Sequence, residues 1–175
     1  MLAVLRKVLF ILALMSVPGF AGPTDGDTAP GFRLQDQNNN WHQLEDYRGQ
    51  WLVLFFYPKA DTPGCTTEAC EFRDNIFAFE DLGAAVIGVS LDDVKSQEAF
   101  AAKYSLPFPL LSDAKMDVAK AYGVLTTFRD VQVAARQTFL IDPAGKIARH
   151  YGKVDPATHS KQVLADLNEL LEPSA

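Results

Sequence analysis

The chain has 175 residues, with 16 Lys+Arg against 22 Asp+Glu and 48% hydrophobic residues. That is the size of one domain with a real core, and the composition excludes both a disordered chain and a multi-span membrane protein. The acidic balance disfavours phosphate backbones and anionic lipid, so no nucleic-acid partner is expected, and the two cysteines are too few for a disulfide-rich scaffold.

Met1–Lys7 carries Arg6 and Lys7, Val8–Val17 is an apolar run broken only by Ser16, and Pro18-Gly19-Phe20-Ala21 follows. This is the three-part layout of a secretory signal peptide, residues 1–21, with cleavage after Ala21. The apolar run is shorter than the ~20 residues a bilayer span needs, so a retained membrane anchor is the weaker reading. The working protein is then residues 22–175, a single domain whose expected destination is the bacterial periplasm, without stable membrane contact. Cleavage removes Arg6 and Lys7, leaving 14 basic and 22 acidic residues and a net charge of −8.

Gly22–Pro30 reads as a polar lead-in with little core to bury. Phe32–Leu34 and Trp41–Leu44 alternate around the turn signal Asp36–Asn40, which predicts a β-hairpin. Trp51–Tyr57 is a continuous apolar run stopped by Pro58, the pattern of a central strand buried on both faces. Ala85–Leu91 and Thr138–Ile141 are two more such strands. Between them, Ala69, Phe72, Ile76, Phe79 and Leu82 lie on one face of an amphipathic helix that Gly83 ends. Asp93–Tyr104, Lys115–Tyr122 and His159–Leu171 are further helices, and Lys146–Tyr151 pairs back on the strand before it through the Asp142–Gly145 turn. Alternating strands and helices predict an α/β fold with a central mixed sheet.

Pro58–Cys70 reads PKADTPGCTTEAC. Cys65 follows a strand and a loop with Pro63 and Gly64, and stands where a helix begins. A helix N-terminus offers free N–H groups and partial positive charge, which favour the thiolate, the nucleophilic form. A small buried hydrophobe is the ordinary fate of a cysteine, but this one sits beside Thr62 in a polar loop. Cys70 is five residues on. In an intact helix the two Cα atoms are roughly 8–9 Å apart, beyond the ~7 Å limit for a disulfide. The pair is therefore either never bridged or bridged only with unwinding of the helix, which suits a reversible redox pair better than a structural disulfide.

Pro58-x-x-x-Thr62-x-x-Cys65 resembles the PxxxTxxC signature of the peroxiredoxins, and Cys65-x-x-x-x-Cys70 is similar to their bacterioferritin-comigratory, or peroxiredoxin Q, subgroup. Ala29-Pro30-x-Phe32-x-Leu34, Phe72-Arg73-Asp74 and Thr138–Asp142 extend the resemblance over nearly the whole of residues 22–175. The resemblance implies a thioredoxin-like fold of the peroxiredoxin variant, with a central mixed sheet, flanking helices and an N-terminal β-hairpin. It implies a thiol peroxidase for hydrogen peroxide and organic hydroperoxides that needs no cofactor. Cys65 would be peroxidatic and Cys70 resolving, joined in a redox-active intramolecular disulfide. Thr62 would hold the peroxide, Pro58 would shield Cys65 from water, and Arg136 would stabilise thiolate and oxyanion. From the residues alone Arg129 or Arg149 serves equally. Glu68 falls where the family has a group that orients the arginine, and it also reads as an ordinary carboxylate near a helix start. The implied partner is a thioredoxin-like or other dithiol reductant, and the implied state is monomeric. The stretch Tyr122–Arg136 is shorter than in many relatives.

His42, His150 and His159 lack ligand spacing with the cysteines and read as surface residues, so no metal is expected. The rivals are an exported thioredoxin-like thiol–disulfide oxidoreductase, a copper-delivery protein of the same fold, and a binding module with inert cysteines. The first is marked by C-x-x-C, where this chain has C-x-x-x-x-C, and the second needs a well-placed histidine.

Overall fold

The structure is a computed structural model that describes residues 22–172. The predicted export segment, residues 1–21, lies outside the described residues. Among the described residues no helix is long and apolar enough to cross a membrane.

In chain order the elements are β1 (Arg33–Gln35), β2 (Trp41–Gln43), a 3-10 turn (Leu44–Tyr47), β3 (Trp51–Phe56), α1 (Pro63–Asp74), α2 (Ile76–Asp81), β4 (Ala84–Ser90) and α3 (Val94–Tyr104). There follow β5 (Leu110–Ser112), α4 (Asp117–Ala121), β6 (Leu125–Phe128), β7 (Val131–Ala134), β8 (Gln137–Ile141), β9 (Ile147–Tyr151) and α5 (His159–Leu171). Seven strands form one mixed sheet in the order β2-β1-β5-β4-β3-β8-β9, and β6 and β7 form a separate ribbon. β3 runs parallel to β4 and antiparallel to β8. This is the α/β architecture expected, with the hairpin β1–β2 and the central strand β3 in their predicted places.

The continuous apolar run of β3 divides by period two between two cores. Val53, Phe55 and Tyr57 face a core shared with α1, α2, α3 and α5. Leu52, Leu54 and Phe56 face the other, closed by Tyr122, Phe139 and the segment holding Ala29 and Phe32. Neither face meets water, so neither side of the run carries polar residues.

Four expectations are corrected. The single helix predicted to Leu82 breaks at Asn75, whose side-chain amide donates to Glu71 O (2.8 Å) and Ser160 Oγ (3.2 Å). A side chain that bonds the backbone competes with helix continuation. The apolar face survives the break, with Phe72 and Phe79 buried and Ile76 and Leu82 packed against them. Second, the lead-in is not loose: Thr28 bridges Lys146, Tyr122 donates its hydroxyl to Pro30 O (2.7 Å), and Ala29 and Phe32 are buried. Third, His159 is not on the surface but fully buried, with Nε2 2.8 Å from Thr138 Oγ1. Its ring packs edge-on against Phe72 and Tyr151, which joins α5, β8 and α1. Fourth, Pro63 and Gly64 do not belong to the loop before the helix but are the first two residues of α1. Strands β5, β6 and β7 have no counterpart in the sequence reading, being three or four residues each.

Candidate active site

The loop from Tyr57 to Thr62 carries the chain from the end of β3 to the start of α1, and it is tied down at both ends. The Tyr57 hydroxyl donates to Gln97 Oε1, whose amide nitrogen donates to Ser90 Oγ (2.9 Å) and Leu111 O (3.1 Å). Ala60 N–H donates to Asp92 Oδ2 (2.8 Å). Asp61 has φ 57°, a left-handed conformation that Asp tolerates better than most residues. Its carboxylate is held there by Lys103 Nζ (2.8 Å) and the Tyr104 hydroxyl (2.7 Å). Pro58 stands half-buried at the head of the loop.

Thr62 is the N-cap of α1, in extended conformation, and Pro63 takes the first helical position, which suits its fixed φ and missing N–H. The Thr62 hydroxyl does not cap the helix. It donates back to Lys59 O (2.9 Å) and keeps its lone pairs open. Cys65 is therefore the third helical residue, and the N–H groups of Gly64 and Cys65 have no acceptor within the helix.

Cys65 is 1% exposed and lies in the core with Phe55, Tyr57 and Phe72. Burial alone would fit an inert thiol; the charge beside it does not. Arg136 Nη2 lies 3.3 Å from Cys65 Sγ, Nη1 bonds Glu68 Oε2, and Nη1 is 3.5 Å from Gly64 O. A Cβ at Gly64 would stand 3.1 Å from Arg136 Nη2, so any larger residue there would press on the guanidinium. Of the three arginines the sequence leaves open, only Arg136 reaches the thiol. Arg129 lies exposed at the tip of the β6–β7 ribbon, and Arg149 pairs with Asp166 and, at 3.8 Å, Glu169. Arg136 comes directly before β8, so the sheet itself sets its position under α1.

Glu68 is no surface carboxylate near a helix start. Its side chain is fully buried, and Oε1 has no hydrogen-bond partner among the described residues. Burial pushes its pKa up to about 7, against the opposing pull of Arg136. Burial acts to lower the Arg136 pKa, but Glu68 and Cys65 outweigh it and hold the guanidinium above its ordinary value.

Cys70 lies one turn and a half along α1, half-buried, and both thiols are free. The helix is continuous across the pair, as the distance argument requires of the reduced protein. Arg73, one turn further, entered the sequence reading only as part of the resemblance and was given no role there. It pairs with Asp74, donates to Tyr104 O (2.7 Å), and has Cys70 among the groups that hold its charge. The i, i+3 spacing of Cys70 and Arg73 was the available signal. Among the described residues no group of His, Cys, Asp and Glu side chains could hold a metal ion.

Residues 26–150 match the model of the AhpC/TSA family. The chain is 38% identical over 151 residues to peroxiredoxin Bcp of Bacillus subtilis, covering 84% of this chain and 96% of that protein. The solved structure of a cysteine-to-serine mutant of Xylella fastidiosa PrxQ superposes with a TM-score of 0.79 at 38% identity, over 86% of this chain and 96% of that one. A structure of the Xanthomonas campestris bacterioferritin comigratory protein, described for its alkyl peroxide reduction activity, gives a TM-score of 0.75 at 36% identity, over 81% and 92% of the two chains.

Proposed function

The chain belongs to the AhpC/TSA family, in its Bcp and peroxiredoxin Q branch, and on that premise we propose that Cys65 is the thiol that attacks peroxide and Cys70 the thiol that resolves it. The protein is a thiol peroxidase. The observation that carries the assignment of roles is the Arg136 guanidinium shared between Cys65 and buried Glu68.

In the peroxide step the Cys65 thiolate attacks the distal oxygen of ROOH. An S–O bond forms, the O–O bond breaks, and its electron pair leaves on the RO oxygen, which takes up a proton. Arg136 and the free N–H groups of Gly64 and Cys65 stabilise the charge that develops on oxygen. The Thr62 hydroxyl, with its proton committed to Lys59 O, accepts the O–H of the bound peroxide. Pro58 helps keep water from the sulfur. Cys70 then attacks the Cys65 sulfenic sulfur, expelling water and forming the Cys65–Cys70 disulfide. A dithiol reductant of thioredoxin type restores both thiols. Hydrogen peroxide and alkyl hydroperoxides are the substrates. The exported thiol–disulfide oxidoreductase is not favoured, because its C-x-x-C pair is missing here.

Residues 1–21 direct export to the periplasm and are removed, which puts cytosolic thioredoxin out of reach, and the likeness to the peroxiredoxin Q branch supports a monomer. The test of the chemistry is thiol titration at stoichiometric hydrogen peroxide. Loss of both thiols of each chain is expected, and retention of both would overturn the assignment.

A further inference from the structure

Against part-buried Arg136 the fold sets two buried acids, the Cys65 thiol and the Glu68 carboxyl. With both acids ionised the cluster carries a net negative charge, and with both protonated a net positive one. Only the singly ionised states are neutral, and a medium of low dielectric favours neutrality over any unpaired charge. The geometry of Glu68 points the same way. Oε2 accepts from Arg136, but Oε1 is buried with no hydrogen-bond partner among the described residues. Charge left on that oxygen would be uncompensated, and burying an unpaired charge costs far more than burying a neutral polar group.

We propose that Cys65 and Glu68 share a single proton across Arg136, so that Glu68 stores in the site the proton that Cys65 gives up. The inference rests on Cys65 being the thiol that attacks peroxide. Cys65 as thiolate with Glu68 as acid is the state that reacts, because it holds both the nucleophile and the proton that the leaving oxygen needs. The step balances within the site. Cys65 thiolate, ROOH and protonated Glu68 give Cys65 sulfenic acid, ROH and Glu68 carboxylate, with the peroxide reduced and the sulfur oxidised. Such a pair titrates in two macroscopic steps that belong to neither residue alone.

The other titratable groups facing the cluster do not take this role. Tyr57, from the end of β3, is raised far above its ordinary range by burial. His159, from the start of α5, is lowered by burial and sits between Thr138 and Gln162. Both stay neutral near pH 7, where burial places the Glu68 titration.

The test uses the Cys70→Ser protein, with and without Glu68→Gln. Each is mixed rapidly with hydrogen peroxide from about pH 5 to about pH 9, and the Cys65 sulfenic acid is trapped with a dione and counted by mass spectrometry. With Glu68 present, the rate should rise and then fall on either side of its optimum. Glu68→Gln should lose the falling limb and drop about a hundredfold at the optimum, the size of a lost general-acid contribution. Glutamine can still accept from Arg136, so a merely orienting Glu68 leaves the shape of the profile unchanged, and that outcome overturns the proposal. Infrared spectroscopy reads the store directly. A protonated-carboxyl C=O band should be present below pH ~7, fade above it, and be absent in Glu68→Gln; a parent protein without that band also overturns the proposal. If no sulfenic acid forms on Cys65 at any pH, the peroxide assignment itself fails. Sulfenic acid formed with the same profile in both proteins sinks only the shared proton.

Discussion

Three influences meet at the Cys65 sulfur: the start of α1, the Arg136 guanidinium at 3.3 Å, and exclusion of water. The first two present positive charge to the sulfur, and the third keeps solvent from screening it. Cys65→Ser should abolish peroxide consumption with dithiothreitol as reductant, whereas Cys70→Ser should complete one turnover and stop at sulfenic acid, as mass spectrometry would show. Arg136→Ala should slow the peroxide step, followed by stopped flow, by about a hundredfold, the usual loss when one oxyanion donor is removed. An unchanged rate would assign the effect to the helix start alone. His159 gives a stability prediction. Burial holds its pKa below the ordinary 6.5, so the unfolded chain takes up the proton first. Its contribution to stability is present above pH ~6.5 and is lost as pH falls through that value towards the folded one. Glu68, raised instead, acts with the opposite sign, its contribution being lost as pH rises from about 4.5 through about 7. The melting temperature of His159→Gln should therefore drop less than that of the parent between about pH 7 and pH 5, at about 1.4 kcal/mol for each pKa unit of displacement removed. The helix start near Cys65 and the five-residue step to Cys70 could be read locally, whereas Thr62 and Glu68 were singled out only by the resemblance. The choice of Arg136 over Arg129 and Arg149 was not legible from the residues alone, because 71 residues separate it from Cys65 and only the sheet brings them together.

α1 is both the support of the reduced site and the obstacle to its oxidised form. A disulfide between residues five apart needs Cα atoms closer than a helix allows, so oxidation should unwind α1 from Cys65 to Glu71 and free Ala69 and Phe72 from the core. Amide hydrogen exchange of the two redox states is the measurement. Equal protection of Thr66–Phe72 in both would rule out the unwinding and with it Cys70 as the resolving partner. Because the bond forms against helix hydrogen bonds and packing, the oxidised protein should melt below the reduced one, opposite to the usual effect of a cross-link. Phe72 is the main attachment, stacked 4.7 Å from Phe55 and in contact with Phe79 and His159. Phe72→Ala should cost the reduced fold about 3–5 kcal/mol in denaturant unfolding. The break at Asn75 gives the unwinding a natural end, since α2 keeps its own packing through Phe79 and β4. The apolar spacing announced the shared face but not the break. An Asn between Asp74 and Ile76 is compatible with a continuous helix until Ser160, on another element, lies in reach of its amide.

The lead-in ties the start of the domain to its far end. Gly26 N–H donates to Ile147 O (2.8 Å), Ile147 N–H to Asp27 O (2.9 Å), and His150 N–H to Asp25 Oδ1 (2.7 Å). A chain beginning at Gly22, as cleavage after Ala21 would leave it, should unfold at the same denaturant concentration as the full chain. One beginning at Arg33 loses buried Ala29 and Phe32 and should be less stable by at least about 3 kcal/mol. What the sequence by itself determined is whatever depends on neighbours along the chain. The apolar run of β3, the helical faces, the turn at Asp142–Gly145 and the helix start near Cys65 all follow from local periodicity and backbone chemistry. Tertiary structure alone decided what depends on residues far apart. The three-residue β5 is too short to show a period and exists because β4 and β1 flank it. Gly22–Phe32 looks unbound until β9 lies beside it. His159 looks like a polar helix start until Thr138 and Phe72 enclose it. Glu68 became part of the site only when the sheet placed Arg136 against it and shut out water, because burial and a fixed counter-charge are properties of the packed molecule and not of any stretch of chain.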